Sequence, residues 1–360
     1  MSLAHLCARL ARAPGLTAEH VQALAREAAD PDRLCAPGVI ARVPLPEAVR
    51  TYLAAPEPPA VRADVHWCES HGAQPVLCLD AAYPPQLAAT RGAPPVLYVQ
   101  GDVAALKRPQ LAVVGSRRPT PAGCRIGREF AAALARAGLV ITSGMAWGID
   151  AAGHEGALEV DGTTIAVFGC GLAHRYPPQN AGLAERILRR GTLVSEFPPW
   201  VAPRRQNFPR RNRVISGLSL GTLVIEAAAG SGSLITAHLA ADQGREVFAV
   251  PGSIRNPLSR GCHQLIREGA HLVETPAQVL AEILFFQQNQ LIVKTPQVPA
   301  LDKEYEMLLD AFGFEPVTFD ILAARSGLSG ESIASMLLIL ELQGRVAPYP
   351  GGRYGRIDSD

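Results

Sequence analysis

The sequence has no apolar run near the roughly 20 residues a membrane span requires, so no transmembrane segment is expected. Its start, MSLAHLCARLARAPG, lacks a charged segment followed by a long apolar core, so no secretory signal is read. Cysteine is sparse and unpatterned: Cys7, Cys35, Cys68, Cys78, Cys124, Cys170 and Cys262 are odd in number and never form Cys-x-x-Cys. Reduced thiols in a cytoplasmic protein are the expectation. Lysine occurs only at Lys107, Lys294 and Lys303, and a formal net charge of +1 gives no general attraction for polyanions. Two nucleotide signatures are also missing. No Gly-x-Gly-x-x-Gly with an acidic residue about 20 positions on argues against a dinucleotide redox cofactor, and no Gly-Lys-Ser/Thr argues against a P-loop.

What is present is uneven charge. No acidic residue separates Asp102 from Glu129, a span with Lys107, Arg108, Arg117, Arg118, Arg125 and Arg128. None separates Glu196 from Glu226, where Arg204, Arg205, Arg210, Arg211 and Arg213 lie. Two positive stretches in a neutral chain point to a local anionic ligand.

The chain divides by pattern. Residues 1–65 are Ala-rich and helical, a helix-turn-helix or SAM-like domain closed by the proline cluster at 56–59. Residues 66–288 alternate short apolar runs with amphipathic helices. Strands are expected at 76–79, 96–99, 111–115, 139–142, 164–168, 192–197, 221–226, 246–250 and 271–274. That is a doubly wound, Rossmann-like α/β domain, with its ligand at the carboxyl ends of the strands. Residues 289–300 read as a linker. Residues 301–360 read as a winged-helix-like domain, with helices at 302–311, 318–325 and 331–343. The segment in the recognition position, 331–343, has no Lys or Arg and two Glu, which favours packing or protein contact over DNA reading.

The strand ends carry the chemistry. They are Gly115-Ser116-Arg117, Ser143-Gly144, Gly169-Cys170-Gly171, Gly230-Ser231-Gly232-Ser233 and Pro251-Gly252-Ser253. Small residues at five strand ends let backbone amides approach a phosphate. The helix expected at 121–137 would turn the positive end of its dipole on the same point. Phe208-Pro-Arg-Arg211-Asn212-Arg213 adds guanidinium forks and an aromatic ring able to stack on an unpaired base. Tyr176 and Trp200 are further candidate stackers. Asp150 and His154, four apart on a helix, are a possible acid–base pair or simply an N-cap and a bonded histidine. His66, Cys68, His71 and Cys78 match no common zinc spacing, so no metal is expected.

In order along the chain, GSRRPT, SGMAWGID with His154, GCG then YPPQN, SEFPP, FPRRNRVISGLS, EAAAGSGSLITA and PGS…NPLSRGCHQLIREGA resemble the DNA-processing protein A (DprA, or Smf) family over about residues 76–275. The resemblance implies a Rossmann-like core with helical and winged-helix flanks, and no catalytic turnover or cofactor. It implies a homodimer that binds single-stranded DNA without sequence preference, protects it during natural transformation and loads RecA recombinase onto it. Carried over by position, it matches Arg117 to the family's phosphate-binding arginine, Ser116, Ser143 and Gly144 to donors around it, and Asn180 to the Asn of Tyr-Pro-x-x-Asn. With the strand ends and the Arg-rich segment read above, DNA contacts are expected at these five and at Gly115, Gly169, Gly171, Phe208, Arg211, Asn212, Arg213, Ser231, Gly232 and Ser233. Many relatives have Lys directly after Tyr-Pro, where this chain has Pro178; Arg175 is expected to replace that charge. A second departure is His263, where Asn is common. The enzyme alternative is a nucleoside-monophosphate N-glycosidase of the lysine-decarboxylase-like group. Its Pro-Gly-Gly-x-Gly-Thr run and following Glu are not matched, because Glu226 precedes the Gly-Ser run here.

Overall fold

A computed structural model describes residues 2–28, 30, 33–294, 303–312, 317–342, 346–349 and 352–356. They fall into two compact units, Met1–Phe285 and Phe286–Asp360. The first begins with helices α1 (Leu3–Arg12), α2 (Ala18–Glu27), α3 (Pro37–Arg42), α4 (Glu47–Ala54) and α5 (Pro59–Ser70). There follow β1 (Ala73–Leu77), α6 (Pro85–Ala88), β2 (Val96–Gly101), β3 (Gln110–Gly115), α7 (Pro121–Arg136), β4 (Val140–Ser143), α8 (Ile149–Glu159), β5 (Thr164–Phe168), α9 (Ala181–Leu188) and β6 (Thr192–Ser195). The unit continues through α10 (Asn207–Leu218), β7 (Gly221–Ile225), α11 (Gly232–Asp242), β8 (Glu246–Ala249), α12 (Arg260–Arg267), β9 (His271–Leu272) and into α13 (Pro276–Lys294).

The nine strands form one sheet in the order β1-β2-β6-β5-β4-β3-β7-β8-β9. All neighbours are parallel except at β2, which runs antiparallel to both β1 and β6. The central strands are apolar along their whole length because helices cover both faces: β3, β5 and β7 are buried almost throughout. The chain leaves β3 toward β4, β5 and β6, then returns to place β7 on the other side of β3. That reversal opens a crevice at the carboxyl ends of β3 and β7.

Residues 1–65 do not stand apart from the sheet. Leu6 and Leu10 of α1 and Val21 and Leu24 of α2 belong to the same buried apolar cluster as Val76, Leu97 and Val114. The Ala18 amide donates to the Ala93 carbonyl at 2.9 Å, and the Gly92 amide donates to the Glu19 carboxylate at 2.7 Å. The proline cluster at 56–59 precedes α5 without ending a separate core.

The second unit contains α14 (Lys303–Phe312), β10 (Val317–Thr318), α15 (Phe319–Ser326), α16 (Gly330–Leu342), β11 (Val346–Tyr349) and β12 (Arg353–Arg356). Its sheet order is β10-β12-β11, and Leu308, Phe312, Leu322, Leu337 and Leu340 form its own core. Helices followed by a two-stranded wing make a winged helix. Of the expected linker 289–300, residues through Lys294 are the end of α13, and 295–300 lie outside the described residues. Residue 343, the end of the expected third helix, also lies outside them. Among the described residues no helix is long and apolar enough to cross a membrane.

Candidate functional site

At the crevice the structure has a cleft of about 740 Å³. Its walls come from the ends of β3 and β7, the first two turns of α10 and the start of α11. Gly115 has to be glycine, because a side chain there would drive into the Ile225 carbonyl and Ile149. The Ser116 amide donates to the Glu226 carbonyl at 2.6 Å, and its hydroxyl accepts from the Arg118 amide at 3.0 Å. This turn throws Arg117 and Arg118 into solvent at the cleft mouth. The Arg117 guanidinium lies over the Phe208 ring at 5.9 Å, and Tyr176 packs on the same ring with centroids 5.7 Å apart. Arg205 enters from the segment before α10. Among the described residues, no carboxylate pairs with Arg117, Arg118 or Arg205.

The opposite wall is Gly230 to Ser233. Ser231 caps α11 by accepting from the Ser233 amide, and the two hydroxyls share a 2.8 Å bond. The amide end of α11 therefore faces the cleft and adds partial positive charge to it.

The expectation that α7 supplies this dipole is corrected. Glu226, at φ +51°, turns its carboxylate onto the first turn of α7. It accepts from the Thr120 amide at 2.7 Å and from the Thr120 hydroxyl at 2.6 Å. An internal anion occupies the α7 end, and α11 is the free one. The same bonds hold the Glu226 carboxylate in place, as an N-terminal cap.

Of the residues singled out in the sequence, Gly115, Ser116, Arg117, Phe208, Arg211, Asn212, Ser231, Gly232 and Ser233 line the cleft. Arg211 does so from beneath: it is 4 % exposed, and its Nη1 donates to the carbonyls of Gly144 and Val167. Burial lowers its pKa to about 10, partly offset by Asp150. It stays charged at neutral pH and is spent on the backbone. Asp150, Tyr176 and Gly230 line it as well, while Ser143, Gly144, Gly169, Gly171, Arg175, Asn180 and Arg213 stand outside the lining. The Ser143 hydroxyl donates to the Val113 carbonyl, and the Gly144 amide donates to Asp150. A side chain at Gly169 would strike the Phe208 ring, and one at Gly171 would strike the carbonyls of Pro198 and Pro199. Asn180 donates to the Met145 carbonyl at 2.9 Å. Arg213 binds Glu196 at 2.5 Å, and Arg210 shares the same oxygen at 3.2 Å. Arg175 is engaged by Glu185, the Leu172 carbonyl and Gln100.

The acid–base reading of Asp150 and His154 meets two side chains with separate structural partners. His154 is fully buried, and burial pushes its pKa down to about 3. The Thr164 hydroxyl donates to the Ile141 carbonyl, so it accepts from His154 Nδ1–H, leaving Nε2 a bare lone pair without a partner. Asp150 accepts from the amides of Gly144 and Ala146. Cys68 and Cys78 are buried, and no group of three or more metal-ligating side chains gathers among the described residues.

The sequence places Arg118 beside Arg117 in the turn that would meet a phosphate, but it gives Arg205 no site role, although Arg205 lies in an acid-free span. The family model described as DNA recombination-mediator protein A matches residues 74–284, and that described as the DprA winged helix domain matches 293–352. The chain belongs to the DNA recombination-mediator protein A family. Among curated members it is 45% identical to Protein Smf of Escherichia coli over 301 residues, covering 81% of this chain and 80% of the relative. It is 46% identical to DNA processing protein DprA of Streptococcus pneumoniae over 207 residues, 58% of this chain and 73% of the relative. The X-ray structure of the Streptococcus pneumoniae DprA superposes with a TM-score of 0.63 at 36% identity, covering 78% of this chain and 99% of that one. A Helicobacter pylori DNA processing protein A, solved to describe its single-stranded DNA binding mode, gives 0.52 at 30% identity, covering 56% and 92%. The cleft of this chain is thus built on a core that it shares with these relatives.

Proposed function

We propose that this DprA-family protein binds single-stranded DNA in the cleft between β3 and β7, without sequence preference and without catalytic turnover. The observation that carries the reading is the group of three exposed guanidiniums, Arg117, Arg118 and Arg205, with no carboxylate partner among the described residues, facing the amide end of α11. Guanidinium forks and backbone amides recognise phosphate oxygens, which every nucleotide presents alike. Phe208 offers a ring to whichever base lies beside the held phosphate. A strand with splayed bases fits a crevice at a sheet edge; a duplex presents paired bases and two backbones. The Helicobacter pylori relative, whose structure describes a single-stranded DNA binding mode, supports the ligand class.

Following the family, the bound strand is protected and handed to RecA recombinase during natural transformation. Two subunits engaging one strand as a homodimer would raise affinity by effective concentration. The test is fluorescence anisotropy of a labelled single-stranded oligonucleotide over a salt series, with duplex competitor, for the intact protein and Arg117→Glu. Binding should be salt-sensitive and duplex-resistant, and the substitution should abolish it. Binding by Arg117→Glu equal to the wild type would remove the cleft from the mechanism.

A further inference from the structure

The loops that leave the carboxyl ends of β4, β5 and β6 each carry a large aromatic side chain in solvent. Trp147 follows β4 and is 51% exposed; Tyr176 follows β5 and is 41% exposed; Trp200 follows β6 and is 54% exposed. Single exposed apolar residues are ordinary, but three aromatics on adjacent strand ends at one edge of a sheet are not. These loops are pinned together. The Gly171 amide donates to the Val201 carbonyl and the Ala173 amide to the Pro199 carbonyl, tying the loop after β6 to that after β5. A side chain at Gly148 would strike the Ser116 carbonyl and Pro119, so the Trp147 loop abuts the Arg117 turn.

The loops that carry Trp200, Tyr176, Trp147 and Arg117 leave the sheet in the order β6, β5, β4, β3, and Tyr176 meets Arg117 across the Phe208 ring. Strands about 4.8 Å apart put the end of β6 about 14 Å from that of β3. The row is continuous with the cleft: Tyr176 lines it, and Ala146, next to Trp147, does too. On the other side of β3 the corresponding exposed residues are Ile235 and Ile254, which are aliphatic.

We infer that Trp147, Tyr176 and Trp200 form a stacking row for the bases of a strand whose phosphate is held at Arg117. This rests on the proposed cleft and adds the surface beyond it. Unpaired bases are the occupant that fits, since aromatic faces beside exposed guanidiniums serve a ligand that alternates flat rings with phosphates.

The chain contains three tryptophans. Trp67 is 4% exposed and stacked on His71 at 4.6 Å, so it is shielded from ligand. Intrinsic fluorescence therefore reports Trp147 and Trp200. The full chain is titrated with an oligothymidylate and with an abasic phosphodiester of equal length. Thymidylate should quench the emission and bind more tightly than the abasic strand. Trp147→Ala/Trp200→Ala has lost both reporters, so it is titrated by anisotropy of end-labelled forms of the two ligands, and there the preference should shrink by roughly tenfold for each tryptophan lost. Equal quenching by both ligands, or an unchanged preference in the double variant, overturns the stacking row while leaving phosphate binding intact. Failure of the wild type to bind either ligand overturns the cleft reading and the row with it. A double variant that sediments as a smaller species with its preference unchanged would make the row a contact between copies of the chain, which also overturns it.

Discussion

A buried histidine with one bonded nitrogen and one bare nitrogen makes the α/β unit sensitive to acid. His154 Nδ1–H is held by Thr164, and Nε2 has no partner to receive a second proton. Desolvation is the main cause of its depressed pKa of about 3, and the Arg211 charge adds to it. Below the ordinary histidine value of 6.5, the unfolded chain takes up a proton that the folded chain refuses. Stability from this source is therefore full above that value and falls as the pH is lowered toward about 3. The slope approaches 1.4 kcal/mol per pH unit at most, which comes to about 2 kcal/mol between about pH 7 and pH 5. In urea unfolding, His154→Asn should show a smaller loss over that interval than the wild type, by about that amount. Parallel pH profiles for the two proteins would mean that His154 charges in the folded state. Arg211 illustrates the same point about burial. Removing it would take a hydrogen bond from each of two backbone carbonyls and withdraw the charge that most favours the buried Asp150 carboxylate, so its loss would be felt as instability before any change in ligand affinity.

Among the elements, α7 and the end of β7 are joined through one carboxylate. Glu226 accepts two bonds from Thr120, whose hydroxyl in turn accepts from the Gly123 amide at 3.0 Å. An anion at a helix start gains both from the orphan donors and from the dipole. Glu226→Ala should therefore cost about 1–2 kcal/mol of stability, and Thr120→Val a similar amount. Because they remove shared bonds, the double variant should cost clearly less than the sum. Strict additivity in denaturant midpoints would show that the two residues act separately.

This link also marks where reading the sequence stopped. The apolar runs, the glycine turns and the Gly-Ser-Arg turn are local patterns, so strand ends and the crevice were legible in them. The direction of β2 was not, because an apolar run reads the same either way. Nor could the sequence tell which arginines remain free. Arg211, Arg213 and Arg175 find carbonyls or carboxylates contributed by distant segments, while among the described residues Arg118 and Arg205 find none, and nothing in their spacing separates the two groups.

For the molecule as a whole, the division into two units predicts what can be removed. The α/β unit draws Leu6, Leu10, Val21 and Leu24 from the N-terminal helices into the core shared with the sheet. Those helices are part of its fold. The winged helix instead has a self-contained core of Leu308, Phe312, Leu322, Leu337 and Leu340. Its α16 has Glu331 and Glu341 and no basic residue, a poor surface for phosphate. Deleting residues 300–360 should thus leave the thermal transition of the α/β unit in place and single-stranded DNA affinity within about tenfold of the intact protein. The anisotropy titration that tests Arg117→Glu, run on the shortened chain at one salt concentration, reads this directly. A larger loss with the α/β unit still folded would return strand contacts to the winged helix, and the wing strands β11 and β12, not α16, would be the place to look for them.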